Sequence, residues 1–226
     1  TIRFERKGDM LNYVYFMPIK SDGTQSNVVP DWTTAISKVE LLIGGQVIDE
    51  QDSFYSTQIA PTLSATSSAK SVSGDLYGGS TNERFYPLRF AFCENWQTAI
   101  PLIALQYHDV ELRITWGSGA ATYKWEVYAN YAYLDTQERE MFASQPQNMI
   151  ITQVQKAISS GSKIQELNFN HPVKELVWKL PTGSEPTEVS LKLNGHDRFN
   201  ARPGKYFQMV QPFQHHTKVP ASGSGL

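Results

Sequence analysis

The chain has 226 residues, 20 basic and 22 acidic side chains, a net charge of −2 and 40% hydrophobic residues. That length allows one large β domain or two of about 100–150 residues, and the near-neutral charge removes the electrostatic case for direct nucleic-acid binding. No apolar run approaches the roughly 18 residues of a membrane-spanning helix, and no charged stretch followed by an apolar core, the mark of a secretory leader, is visible from Thr1 onward.

Strand signals dominate from the start. "GDMLNYVYFMPI" (8–19) carries apolar residues on both alternating sets, Leu11/Tyr13/Tyr15 and Met10/Val14/Phe16, which predicts burial on both sides. "KVELLIGGQVID" (38–49) puts Val39, Leu41 and Ile43 on one face and turns at Gly44-Gly45. Residues 56–82 are small and polar, the composition of a long surface loop. "RFYPLRFAFC" (84–93) reads as a strand stacking Tyr86, Leu88, Phe90 and Phe92. In "PLIALQYHDVELRITW" (101–116) Val110, Leu112, Ile114 and Trp116 alternate with Asp109, Glu111, Arg113 and Thr115. Period-two alternation predicts one core face and one wet or contact-making face, with His108 packed on the apolar side. "WEVYANYAYL" (125–134) sets Val127, Ala129, Tyr131 and Tyr133 against Glu126, Tyr128 and Asn130. In "LDTQEREMFASQPQ" (134–147), Asp135 followed by Glu138 predicts a capped short helix ending before Pro146 and acting as a linker. The class is all-β, sandwich or barrel.

The blocks repeat. "VELLIGGQ" (39–46) aligns with "VSLKLNGH" (189–196) at an offset of 150, and "DMLNYVYFMP" (9–18) with "PVKELVWKLP" (172–181) at 163. The discrepancy falls in the connecting loop, where length varies at little cost.

Motifs for chemistry are weak. The five histidines, His108, His171, His196, His215 and His216, form no H-x-H pair, and His215 and His216 would point to opposite faces of a strand. "GDLYGGST" (74–81) lacks the Lys-Ser/Thr ending of a phosphate loop, "NGHDRF" (194–199) reads as a turn, and no G-x-S-x-G elbow occurs. The lone Cys93 excludes an internal disulfide framework, fits a reducing compartment and reads as a small buried hydrophobe. Eleven Tyr and five Trp are expected in cores or subunit contacts; a sugar-stacking platform on a jelly-roll carbohydrate-binding module is the alternative. No catalytic, cofactor-binding or metal-ligating residue is assigned, and no cofactor is expected.

Five segments carry a family resemblance, in order: "PLIALQYHDVEL", "YLDTQERE", "FNHPVKELVW", "LNGHDRF" and "YFQMVQPFQHHT", spread over residues 101–217. With them the chain resembles the major capsid proteins of nucleocytoplasmic large DNA viruses, the chlorella-virus type; "GDML" and "VELLIGGQVID" agree less strongly. The resemblance implies a double jelly roll, two eight-stranded sandwiches per subunit, in a non-enzymatic structural protein. It implies homotrimeric, pseudo-hexameric capsomers of an icosahedral shell, with neighbouring capsomers and minor capsid proteins as partners and no direct nucleic-acid binding. The location implied is the virion, assembled in the host cytoplasm. Residues 1–134 are expected to form the first roll, 135–150 a linker with a short helix, and 151–226 the N-terminal part of the second roll. That roll is expected to be incomplete in this chain: 89 residues run from Gly45 to Leu134, whereas 31 follow Gly195.

Overall fold

The structure, a computed structural model, describes residues 1–20, 22, 32–63, 85–158, 161–179 and 186–217. The chain forms two compact units, Thr1–Pro61 with Val72–Asn168, and Thr62–Ser71 with Phe169–Leu226. In chain order the elements begin with β1 (Ile2–Arg3), β2 (Met10–Lys20), α1 (Trp32–Ala35), β3 (Ile36–Ile43) and β4 (Gln46–Asp52). A π-helix (Tyr55–Ile59) and α2 (Ala60–Leu63) follow, then β5 (Tyr86–Pro87), β6 (Ile100–Pro101), β7 (Val110–Trp116), β8 (Tyr123–Ala132) and α3 (Thr136–Ser144). The last elements are β9 (Glu188–Leu193), β10 (His196–Pro203), a second π-helix (Tyr206–Val210) and α4 (Gln211–His215).

The first unit is a sandwich. One sheet has the order β1-β7-β3-β4; in the other, β2 pairs with β8, β5 and β6. All pairings are antiparallel. Leu11, Val14 and Phe16 of β2 share one core with Ile36, Val39 and Leu41 of β3 and Val110 and Leu112 of β7. At about 1.5–3 kcal/mol for each fully buried large aliphatic or aromatic side chain, this shared face is what holds the sheets together.

The two-sided burial expected of β2 gives way to a bulge. Its register against β8 shifts between Asn12 and Val14, and Tyr13 takes a positive φ of 43°. The extra residue turns odd-numbered Leu11 and even-numbered Val14 and Phe16 to the same side; Met10, Tyr13, Tyr15 and Met17 stay half-buried on the other. The side chain of Asn12, fully buried, donates to Asn95 O at 2.5 Å and accepts from Tyr13 N–H at 2.6 Å.

β3 turns into β4 at Gly44-Gly45 as expected, with φ of 60° and 81° that glycine adopts without steric cost. β8 alternates half-buried and exposed residues from 123 to 131 as expected, but Tyr133, just past its end, is exposed. In β7, Val110 and Leu112 are buried and Ile114 is half-buried. Trp116 departs from the expectation: it is 40% exposed. The strand ends there, and its indole leans on Trp125 at a ring separation of 4.9 Å. Tyr86, Leu88, Phe90 and Phe92 are all buried, yet the expected strand is two residues long and Ala91–Cys93 is a 3-10 turn. Pro87 brings no ladder N–H, so burial here comes from an irregular segment. Cys93 is buried, as expected. Of the expected surface loop, residues 64–82 lie outside the described residues; 56–63 are helical, with Ser56, Thr57 and Pro61 buried.

The second unit repeats part of the first. β9 and β10 pair through Asn194-Gly195, with φ of 51° and 81°, the same left-handed pair as Gly44-Gly45. Both hairpins then skip one residue at the same place: Val47 to Asp49 faces Leu42 to Leu41, and Asp197 to Phe199 faces Lys192 to Leu191. β10 adds a further bulge between Phe199 and Arg202. That bulge moves the offset from 150 to 151, since Gln51 pairs with Val39 and Arg202 with Val189. Each hairpin continues into a π-helix and then an α-helix with proline at its second position, Pro61 and Pro212. The other half of the sequence repeat behaves differently. Residues 172–179 form no strand, and Val173, Val177 and Trp178 are exposed. In the first unit, β2 is held by β5, β6 and β8; residues 172–179 meet no partner strand among the described residues.

Candidate functional site

Three groups of charged side chains stand out in the first unit: where β8 meets α3, along β4, and on the outer face of the β7-β3-β4 sheet. At the exit from β8, Asp9 is the hub. Its N–H donates to Ala132 O, while its Oδ2 accepts from Leu134 N–H at 2.8 Å and from Arg139 Nε at 2.9 Å. The Arg139 guanidinium, helped by the Leu134 amide, holds the Asp9 carboxyl below the usual carboxylate range. The capping box of α3 is complete: Asp135 accepts from Glu138 N–H at 2.8 Å and Glu138 from Asp135 N–H at 3.4 Å. Tyr133 OH donates to Lys7 O at 2.6 Å. The helix expected over 134–147 is therefore stapled to the N-terminal segment.

Beyond α3 the chain runs as a strap along β4, the outermost strand of its sheet. Gln153 Nε2 donates to Ile48 O, Val154 N–H donates to Asp49 Oδ1 at 2.9 Å, and Lys156 Nζ lies 2.5 Å from Asp52 Oδ2. The strap closes one side of a cavity of about 370 Å³ walled by Ile43, Ile48, Phe90, Phe142, Met149 and Ile151. Asp49 stands at this wall, buried, with Gln51 Nε2 donating to its Oδ2 at 2.8 Å. Burial pushes its carboxyl up to about 6, against the opposing pull of the Val154, Gln51 and Glu50 hydrogen bonds.

On the outer face of the sheet, Arg113 grips Glu40 with both arms, Nε at 2.7 Å and a terminal nitrogen at 3.0 Å. Lys38 bridges Glu40 at 3.4 Å and Glu50 at 2.9 Å. Arg113 keeps the Glu40 carboxyl below its ordinary value. The polar face read from the alternation of 109–116 is thus a cross-strand ladder of paired charges.

The histidines do not converge. His108 is exposed, contrary to the packed position expected for it: residues 105–108 form a turn, with His108 N–H donating to Leu105 O at 3.2 Å, and the alternation starts only at Val110. His171 has a φ of 69°, His196 opens β10 and His215 ends α4. His216 Nε2 lies 2.9 Å from Glu175 Oε1. "NGHDRF" is the β9–β10 turn, as expected; "GDLYGGST" lies outside the described residues. Asp49 and Asp9 escaped the sequence reading, because an acid at the start of a strand or beside other acids in one carries no local mark of burial.

A family model described as major capsid protein N-terminus matches residues 1–135, and one described as large eukaryotic DNA virus major capsid protein matches 181–226. The chain belongs to the major capsid protein family of large eukaryotic DNA viruses. Among its relatives, the major capsid protein of Pyramimonas orientalis virus is 36% identical over 98% of this chain and 64% of its own length. That of Paramecium bursaria Chlorella virus 1 is 30% identical over 94% of this chain and 65% of its own length. The chain therefore spans just under two thirds of these relatives. In the quasi-atomic model of the PBCV-1 virus capsid, a chain matches with a TM-score of 0.63 at 23% identity, covering 94% of this chain and 68% of that one. This likeness gives the fold: all-β, the double jelly roll of this capsid family, with the repeated hairpin-helix module in each unit.

Proposed function

We propose that the protein is a structural major capsid protein, a building block of the icosahedral shell of a large double-stranded DNA virus. The observation that carries the reading is the repeated module: turn, bulge, π-helix and proline-bearing helix recur at offsets of 150–151. A subunit with two such units presents two similar bodies, so three subunits make six around one axis, which suits a hexagonal lattice. We read residues 1–134 as the first roll, 135–150 as the linker, and 151–226 as the opening part of the second. The partners are two further copies, neighbouring capsomers and minor capsid proteins, in virions assembled in the host cytoplasm. The role is architectural: the charged groups described above are engaged in tying one segment of the chain to another. No helix among the described residues is long and apolar enough to cross a membrane.

Light scattering on the purified full-length protein tests this reading. A trimer that packs into hexagonal arrays under electron microscopy is the expected result. A monodisperse monomer that binds glycans would instead favour the carbohydrate-binding module.

A further inference from the structure

We propose that the cavity closed by β4, α3 and the strap is a binding site for an amphiphilic amine, its hydrocarbon body among the apolar walls and its ammonium group on the Asp49 carboxylate. This goes beyond the shell-building role and stands on the local geometry alone.

Size and lining set the body of the ligand. A cavity of about 150 Å³ holds benzene, so one of about 370 Å³ holds on the order of fifteen heavy atoms. Its apolar walls come from Ile43 and Ile48 of the β3-β4 hairpin, Phe90, Phe142 of α3 and Ile151 of the strap, all within the first unit. Small-molecule sites commonly take this form, an apolar hollow in which a few polar groups fix the orientation. A lysine reaching in from another protein would bring only about five heavy atoms. That leaves most of the space to fill, so the geometry suits a free molecule with a longer chain.

Asp49 sets the head. It is buried, and it is the only charged residue among the described residues that line the cavity. Its Oδ1 accepts from the amides of Val154 and Glu50, each at 2.9 Å, and its Oδ2 from Gln51 Nε2 at 2.8 Å. All are neutral N–H donors, and all donate into the carboxylate, which favours its charged form. With the carboxyl at about 6, the group is ionised near neutral pH. An ionised carboxylate accepts about four hydrogen bonds, which leaves a place on Oδ2. Lys38 is bonded to Glu40 and Glu50, and Lys156 to Asp52. A buried charge is ordinarily matched by an opposite one, and an ammonium lying along the apolar walls supplies both the further donor and the opposite charge. Neither strand nor strap requires the acid. An asparagine oxygen would accept from Val154 N–H without burying a charge. In the second unit the corresponding position, facing Leu191 as Asp49 faces Leu41, holds Phe199.

Calorimetric titration of the intact protein near neutral pH with n-octylammonium, 1-octanol and octanoate, which share one chain length, decides it. Octylammonium should bind at least about tenfold more tightly than octanol, the preference expected of a charge-assisted hydrogen bond. Octanoate should not bind, because its charge repels that of Asp49. n-Butylammonium, as short as a lysine stem, should bind about a hundredfold more weakly than octylammonium, in line with the buried methylenes it lacks. Asp49→Asn should bring octylammonium to within about threefold of octanol. Ala143 lines the cavity from α3 and is exposed, so Ala143→Trp should fill the space and abolish binding of both. No octylammonium binding, equal affinity for octylammonium and octanol or for octylammonium and butylammonium, or a preference surviving in Asp49→Asn would overturn the proposal. If Asp49→Asn does not fold, Ala143→Trp carries the decision: octylammonium binding that survives in that variant overturns the site.

Discussion

His108 and Gly44 occupy each other's space: a β-carbon built on Gly44 would lie 2.7 Å from His108 Nδ1. Gly45, one residue on and also at positive φ, has nothing within 4 Å of its would-be β-carbon. Gly45→Ala should therefore cost only the left-handed backbone penalty, about 1–2 kcal/mol. Gly44→Ala should cost about 1 kcal/mol more, because the imidazole must be pushed away. His108→Ala should remove that excess and leave the Gly45→Ala cost unchanged. Urea melts of the four proteins and the two double variants form the cycle; equal costs for the two glycines would contradict the contact.

The core face of β7 is next. Leu112 is fully buried and Glu111 half-buried on the opposite side. Leu112→Ala should destabilise the first unit by about 2–5 kcal/mol, and Glu111→Ala should stay within about 0.5 kcal/mol. Denaturant midpoints at constant slope measure both; similar losses would mean that the face assignment is wrong.

Asp9 ties the start of the chain to α3. Its carboxyl is held below the ordinary value, chiefly by Arg139. A depressed folded value means that the contribution is present above the unfolded value near 3.9 and is lost as pH falls through the folded one. Asp9→Asn should therefore weaken the protein at neutral pH and make little difference in strong acid. Thermal melts from about pH 2 to about pH 7 should converge at the acid end; a constant gap would assign the loss to packing instead.

Cys93 is the single thiol of the chain and is buried. Labelling with an aromatic disulfide reagent should proceed only through opening of the first unit, and Leu112→Ala should accelerate it in step with its loss of stability. Fast labelling in the unmodified protein, without denaturant, would place the thiol at the surface.

Much of this architecture is written in local pattern. The Gly44-Gly45 turn, the alternation of β8 and the capping box at Asp135 each rest on chemistry within a few residues, and each forms as read. The misreadings share a different cause. Trp116 is exposed because periodicity assigns a face but not the point where a neighbouring layer ends. His108 is exposed because a turn stops the alternation just before Val110. "PVKELVWKLP" has the composition of a strand, but a strand needs a partner, and pairing is not a property of ten residues. The burial of Asp49 depends on a strap about 100 residues further along the chain, a contact of the kind no local window contains. The π-helix module was legible in principle, because Tyr55, Ile59 and Pro61 reappear as Tyr206, Val210 and Pro212.

The second bulge of β10 absorbs the one residue by which its hairpin is longer than that of β3 and β4. One surplus residue in a strand would ordinarily swap every later side chain from one face to the other. Between Phe199 and Arg202 the surplus is instead looped out of phase, and the π-helix and Pro212 that follow keep the geometry of their counterparts in the first unit. The difference in length between the two hairpins is thus confined to a single rung of the ladder. The same rung marks where a foreign residue could be inserted into the protein with its downstream frame left intact.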